Sequence, residues 1–350
     1  MAEVKPSLYD LDLAELESLL AEWGEPRYRA KQVWEWLYHH LVGRIDEMTT
    51  LPKTLRSLLD DMAKLPTPRV IAQQESLDGE TRKDLLEFED GAQVEVVLMR
   101  YIDRRSACIS TQVGCAMGCQ FCATGQMGFQ RNLSAGEIVV QVLHLARELK
   151  RQDQHLTNVV LMGMGEPLLN YDATLTAIRR LIDSGGFRMG QRRITLSTAG
   201  IVPGIRRLAD ENLEVNLAVS LHAATDAVRS ELMPINRRYE LNELFSAVQT
   251  YLAKTNRRVT FEWVMISGVN DTPEQAEALA ARLSGMLAQV NLIPLNPTLG
   301  FAGQPSTPEQ IDAFVHVLDR RHIAHTVRLR RGADIQAGCG QLRGRQTPRT

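Results

Sequence analysis

The stretch Ser106-Ala-Cys108-Ile-Ser-Thr-Gln-Val-Gly-Cys115-Ala-Met-Gly-Cys119-Gln-Phe-Cys122 settles fold and chemistry together. Its first part, 106–111, reads as a strand. Its second part gathers three cysteines into eight residues with the spacing C-x3-C-x2-C. A loop that follows a strand in an α/β barrel sits on the face where such proteins place their chemistry. One tight loop can supply three thiolates to the corners of an iron–sulfur cubane. Glycines at 114, 118, 125 and 128 let the backbone wrap closely. Three protein thiolates leave one iron open to an outside ligand. The alternative is a structural zinc site with Cys108 or Cys339 as fourth ligand. Such sites usually come as paired C-x2-C motifs or beside histidines, and neither occurs here, so spacing and context favour the cluster.

Downstream of this loop, strand and helix patterns alternate. Strands are expected at 106–111, 158–162, 193–197, 215–221, 259–266, 289–294 and 325–330, with helices at 134–149, 172–183, 203–211, 241–254, 273–285 and 307–321. Alternation of this kind means a parallel sheet with right-handed crossovers. About six βα units predict an α/β fold built as a partial, TIM-like (βα)6 barrel. Polar residues end several strands: Gly163-Met-Gly165-Glu166 after the second, Ser197 at the third, Ser220-Leu221-His222 at the fourth and Asn296 after the sixth. Singly, each is a turn or cap; around one barrel mouth they make a pocket.

Upstream, 12–62 reads as three short helices, with Leu13, Leu16, Leu20 and Trp23, then Val33, Trp34, Leu37 and Leu41, then Leu55, Leu58, Leu59 and Met62 at helical spacing. Leu65-Pro66-Thr67-Pro68 marks a boundary. The expected organisation is a helical accessory domain over 1–66, a β extension over 67–100 and a core over 101–350. The extension carries turns at Asp78-Gly79 and Asp90-Gly91, and a last strand, 94–99, that is apolar on both faces except for Glu95.

Five cysteines, an odd number, argue for metal binding or catalysis in a reducing compartment rather than a disulfide framework. No apolar run is long enough to cross a membrane, and the acidic N-terminus has no apolar leader core, so a cytoplasmic protein is expected. The net charge of −2 is uneven. Residues 1–66 hold 8 Lys/Arg against 12 Asp/Glu, whereas 321–350 hold seven arginines (Arg321, Arg328, Arg330, Arg331, Arg343, Arg345, Arg349) against Asp334. That basic end is either a solvated tail or a phosphate-neutralising arm.

The C-x3-C-x2-C loop, with aromatic Phe121 before its last cysteine, resembles the radical-SAM signature. CISTQVGCAMGCQFCATGQMGFQRNL, LMGMGEPLLN, LSTAG, VSLHA and GADIQAGCGQL together resemble the RlmN/Cfr family of RNA adenosine methyltransferases, RlmN more than Cfr, over roughly residues 10–345. The resemblance implies a [4Fe–4S] cluster on Cys115, Cys119 and Cys122. It implies S-adenosylmethionine contacts from Gly165, Glu166, Ser197, Ser220, Leu221, His222 and Asn296. Cys339 would carry a methyl group, Cys108 would be its partner thiol, and Glu95 a proton acceptor. Gly338 and Gly340 flank Cys339, so its loop is expected to move freely between two positions. The implied reaction puts a methyl on carbon 2 of adenosine in 23S rRNA and in tRNA, consuming two S-adenosylmethionine and closing a transient disulfide between the two outlying thiols. A flavodoxin or ferredoxin would supply electrons to a monomer that needs no membrane. Three other readings stay open: carbon 8 as in Cfr, a radical-SAM activating enzyme acting on a protein, and a non-enzymatic zinc or cluster RNA module. Activating enzymes lack the C-terminal GCGQL cysteine.

Overall fold

A computed structural model describes residues 5–328 and 331–342. Arg330, Arg343, Arg345 and Arg349 of the basic end lie outside the described residues, as do the last two positions of the strand expected at 325–330.

The accessory domain forms the three expected helices, α1 (Leu13–Glu22), α2 (Tyr28–Glu35) and α3 (Lys53–Met62). α1 starts in a capping box: the Asp12 carboxylate accepts from Glu15 N–H and the Glu15 carboxylate from Asp12 N–H, both at 2.7 Å. Its apolar stripe is core, and one continuous hydrophobic cluster runs from Leu8 and Leu16 through Trp34 into the barrel helices. Arginines of the barrel hold the accessory domain by its backbone. Arg147 donates to the carbonyls of Leu41 (2.8 Å) and Val42 (2.6 Å), and Arg180 to those of Tyr9 and Asp10. Residues 65–68 run without regular structure between α3 and the first strand of the extension.

The β extension is a meander, β1 (Arg69–Glu75), β2 (Thr81–Glu87) and β3 (Gln93–Arg100), with its turns at the two expected Asp-Gly pairs. In β3, Val94 to Leu98 are all buried, so both faces are covered. β3 pairs antiparallel with β4 (Arg105–Cys108), which opens the parallel sheet. The loop after β4 closes with a two-stranded hairpin, β5 (Gln112–Gly114) and β6 (Phe129–Asn132), around a single turn of helix, α4 (Ala123–Gln126).

Next come α5 (Ala135–Arg151), β7 (Asn158–Leu161), α6 (Tyr171–Ile182), β8 (Ile194–Thr198), α7 (Val202–Leu208), β9 (Asn216–Ser220), α8 (Asp226–Leu232), α9 (Leu241–Thr255), β10 (Val259–Met265), α10 (Pro273–Leu283), β11 (Ala288–Pro294), α11 (Pro308–Arg320) and β12 (His325–Val327). The sheet order is β1-β2-β3-β4-β7-β8-β9-β10-β11-β12, parallel from β4 onward. Among the described residues it does not close into a ring. The expected partial barrel is thus what forms, extended at its β4 edge by the meander. No described helix is long and apolar enough to cross a membrane.

Candidate active site

One cavity opens at the C-terminal ends of the parallel strands. Cys108, Cys115, Cys119 and Cys122 line it, with Gly165, Glu166, Ser197, Ser220, His222, Asn296 and Cys339. Eleven of the thirteen residues picked from the sequence converge here. Leu221 is fully buried beside the cavity, and its N–H donates to the Glu262 carbonyl at 3.0 Å. Glu95 stands one pleat behind Val97, which does line the cavity. It forms an ion pair with Lys83 at 2.9 Å.

The cysteine loop is wound tightly. Cys115 N–H donates to Gly128 carbonyl (2.9 Å), Cys122 N–H to Cys119 carbonyl (3.2 Å), and Gln120 N–H to Leu232 carbonyl (3.0 Å). A Cβ on Gly125 would lie 2.9 Å from Cys119 N, so only glycine allows the turn after Cys122. Burial pushes the Cys115 thiol up to about 12 and lifts those of Cys119 and Cys122. Such thiols ionise when a metal replaces their protons. They surround a cavity rather than a point: among the described residues, no three His, Cys, Asp or Glu are gathered to hold a single ion. Three soft donors, one buried and two half-buried, around a cavity fit a multi-iron cluster better than one zinc.

Around the loop, the strand ends present a set of defined polar groups. Gly165 has φ +103, and a Cβ there would meet Gln112 Cβ at 2.6 Å. Its neighbour Glu166 is 2% exposed and accepts from Ala199 N–H (2.6 Å) and Leu168 N–H (2.9 Å). Burial outweighs those bonds and raises its carboxyl to about 7. A carboxyl poised in this way favours a cationic partner, such as an ammonium group. His222, at φ +58, accepts Val264 N–H on Nδ1 at 2.9 Å and meets the Phe121 ring edge-on at 4.9 Å. Burial, with Arg229 nearby, lowers its pKa to about 3, so the imidazole is neutral.

Cys339 reaches the cavity on a loop that is strapped down. Asn296 Nδ2 donates to the Cys339 carbonyl (3.2 Å), Ala123 N–H to Gly340 carbonyl (2.7 Å), Thr124 Oγ1 to Leu342 carbonyl (2.7 Å) and Gln341 Nε2 to Pro297 carbonyl (3.1 Å). Lys83 Nζ adds a bond to Gln336 carbonyl at 3.1 Å. The glycines predict a loop free to move, but the structure pins it from both sides. Cys108 is half-buried and Cys339 exposed, and all five thiols are free. Burial raises Cys108 to about 12.

Two charged lining residues, Glu262 and Arg328, are not among the site residues picked from the sequence. Glu262 is 5% exposed on β10 and accepts from Asn291 Nδ2 at 2.8 Å. Arg328 lies 4.0 Å from Glu262 and 3.7 Å from the Cys339 sulfur. The signal for Glu262 is an acid inside the apolar run of β10, the same signal that marks Glu95.

Comparison with known proteins places the chain in a family. Residues 109–280 match the family model of the radical SAM superfamily, and residues 7–65 that of the ribosomal RNA large subunit methyltransferase N-terminal domain. The dual-specificity RNA methyltransferase RlmN 1 of Myxococcus xanthus (strain DK1622) is 51% identical over 342 residues, 98% of this chain and 95% of the relative. This chain belongs to the RlmN family. The probable RlmN of Chloroflexus aurantiacus is 49% identical over 353 residues, 97% of this chain and 93% of that one. A crystal structure of a radical SAM methyltransferase from Sphaerobacter thermophilus superposes with TM-score 0.95 at 51% identity, covering 97% of this chain and 100% of that one. The hydrogenase maturase HydG, at TM-score 0.50 and 13% identity over 65% of this chain and 52% of its own, shares the fold alone. The radical-SAM fold uses a [4Fe–4S] cluster and S-adenosylmethionine, and the cavity of this RlmN-family chain has the donors for both.

Proposed function

We propose that this protein methylates carbon 2 of adenosine in RNA, with 23S rRNA and tRNA as substrates, Cys339 as methyl carrier and Cys108 as the group that releases the product. The observation that carries the proposal is the meeting in one cavity of the three loop cysteines with Cys108 and Cys339. The names of the relatives, dual-specificity RNA methyltransferases, support the RNA substrates.

The cluster, when bound by Cys115, Cys119 and Cys122, supplies the electron that cleaves S-adenosylmethionine reductively. Carbon 2 of adenine lies between two ring nitrogens and is too electron-poor to attack a methyl cation equivalent, so the methyl must first reside on a group of the protein. Cys339 suits that role, because it is exposed to the cavity and its sulfur has Arg328 at 3.7 Å. Glu166 receives the cofactor's ammonium, and neutral His222 adds no positive charge beside it. Asn296 holds the Cys339 loop over the cavity. Before the carbon–carbon bond forms, the methyl on Cys339 would give up one hydrogen to the radical that S-adenosylmethionine cleavage supplies. As the carbon–sulfur link then breaks, Cys108 would take the ring proton and pass it to the new methyl, and its sulfur would bond to that of Cys339. The one electron left over would return to the cluster, and cellular thiols would reduce the disulfide. Glu95, paired with Lys83, is the reserve proton acceptor. Flavodoxin or ferredoxin as the donor, a monomeric state and a cytoplasmic location complete the proposal.

The test uses two variants that fail differently. Cys339→Ala lacks a carrier, so it neither accepts a methyl nor bonds to RNA. Cys108→Ala still loads Cys339 and adds to the base, and accumulates a nuclease-sensitive protein–RNA adduct on a denaturing gel. Normal turnover by Cys108→Ala without an adduct would move the release step to another group, Glu95 first.

A further inference from the structure

Arg229 is fully buried on α8, and among the described residues no acid forms an ion pair with it. Its Nε donates to Leu221 carbonyl at 3.1 Å, Nη1 to Asn236 Oδ1 at 2.9 Å, and Nη2 to the carbonyls of Ala199 at 2.7 Å and Ser220 at 3.3 Å. Each of these acceptors is neutral. The nearest carboxylate on its own helix, Asp226, is turned to Asn236 Nδ2 (3.0 Å) and Leu241 N–H (2.8 Å). A guanidinium kept in a protein interior needs a counter-charge, because hydrogen bonds alone do not offset its desolvation.

Burial lowers the Arg229 pKa to about 10, and among the groups whose negative charge would counter this, Cys119 comes first and Asp226 second. α8 is also bound to the cysteine loop directly, since Gln120 N–H donates to the Leu232 carbonyl at 3.0 Å. Just past α8, Met233 lines the cavity, and Pro234 lies 3.8 Å from where a Cβ on Gly118 would stand. Arg229 therefore sits behind the loop that carries the three thiols, with its charge left for them.

We propose that Arg229 is the internal counter-charge of the cluster site, a positioning residue that offsets the negative charge of three ligating thiolates and sets the cluster's reduction potential. The inference rests on Cys115, Cys119 and Cys122 holding the cluster. Net charge around an iron–sulfur centre is one of the protein's levers on its potential. A fixed cation favours the more reducible cluster, which this chemistry requires because the cluster must accept an electron before it can pass one on. The competing role is structural: the guanidinium would only tie the ends of β8 and β9 through their carbonyls.

Anaerobic redox titration of the full chain, read by electron paramagnetic resonance of the reduced cluster, separates the two. In Arg229→Gln the ratio of reduced to oxidised cluster at a fixed solution potential should fall roughly tenfold, or about 59 mV for a one-electron couple. Arg229→Lys keeps the charge and loses most of the carbonyl bonds, so its potential should stay near wild type. Equal shifts in both variants, or none in Arg229→Gln, would overturn the proposal. Should the glutamine variant not fold, Asn236→Asp keeps the guanidinium, offsets it from 2.9 Å away, and should lower the potential in the same direction; an unchanged potential there overturns the proposal as well. If the wild-type chain assembles no [4Fe–4S] cluster at all, it is the cysteine assignment that fails.

Discussion

Replacing Gly125 by alanine should cost the protein its cluster before it costs the fold. Gly125 lies in α4, in a backbone conformation open to any residue, so the substitution carries no penalty from φ. The whole effect comes from space. The added Cβ would stand 2.9 Å from Cys119 N, 3.0 Å from Cys119 O and 3.4 Å from Gly118 C. All three are backbone atoms of the cysteine loop, and none can swing away as a side-chain tip would. Overpacking of this kind typically costs about 1–3 kcal/mol. At about 2.1 cal/mol/K of unfolding entropy per residue, a chain of 350 residues shifts by roughly 1.4 °C per kcal/mol, so Tm should drop by about 1–4 °C. The loop yields by shifting Cys119, so iron bound after anaerobic reconstitution should fall well below the about four atoms per chain of a full cluster. Gly79→Ala is the control. Its Cβ meets nothing within 4 Å, but φ is +68, which costs about 1–2 kcal/mol of backbone strain in a turn outside the 115–122 cysteine loop. Stability should fall comparably with the iron content intact. Full iron and an unchanged Tm in Gly125→Ala would show that the loop has room to spare and would sink this steric explanation.

Three further outcomes follow from individual groups. Asp84 is fully buried and accepts from Arg82 twice at 2.8 Å, with His144 Nε2 at 2.7 Å. Asp84→Asn should lower stability by about 3–5 kcal/mol in chemical denaturation. Burial works against the Asp84 carboxylate, but the His144 and Arg82 bonds win and hold it near 2. Its stabilisation is thus present above the usual carboxylate range and lost as pH falls from about 4 toward 2, and the variant should lack that acid limb. Glu166, raised by burial to about 7 in the free protein, must release its proton to receive an ammonium. Calorimetric affinity for S-adenosylmethionine should therefore rise with pH up to about 7, by as much as ~10-fold per unit, and Glu166→Gln should abolish the slope. Without ligand the same group subtracts stability as pH rises from 4.5 to about 7. Asn296→Ala removes the 3.2 Å bond to the Cys339 carbonyl. Alkylation of Cys339 by iodoacetamide should accelerate several-fold, and an unchanged rate would mean that the other straps suffice.

Much of this is legible in the sequence because periodicity and punctuation report on burial directly. The helix expected at 241–254 forms at Leu241–Thr255, and the strand expected at 158–162 at Asn158–Leu161. The two Asp-Gly turns form where they stand in the chain. What escapes has a physical reason. α8 buries Arg229 and Leu232, so its inner face shows no apolar repeat. β5 and β6 have three and four residues and pair across fourteen intervening positions, too short and too far apart for alternation to register. Within the site, Glu95 stands out as a lone acid, but its partner does not. Leu85 pairs with Glu95 in the antiparallel register and Lys83 is the diagonal neighbour, a relation only the sheet creates. The straps on the Cys339 loop come from Asn296, Ala123, Thr124, Lys83 and the Pro297 carbonyl, and only the first of these residues is picked out by the sequence as a site residue. Glycine on either side of Cys339 signals freedom, whereas backbone bonds from α4 remove it.

The deciding experiment is mass spectrometry of nucleosides from 23S rRNA and tRNA transcripts treated with the reconstituted protein, S-adenosylmethionine and a reductant. We expect 2-methyladenosine in both RNAs and none with Cys339→Ala. Unmodified RNA from a protein holding a full cluster, or 8-methyladenosine in place of 2-methyladenosine, would contradict the assignment.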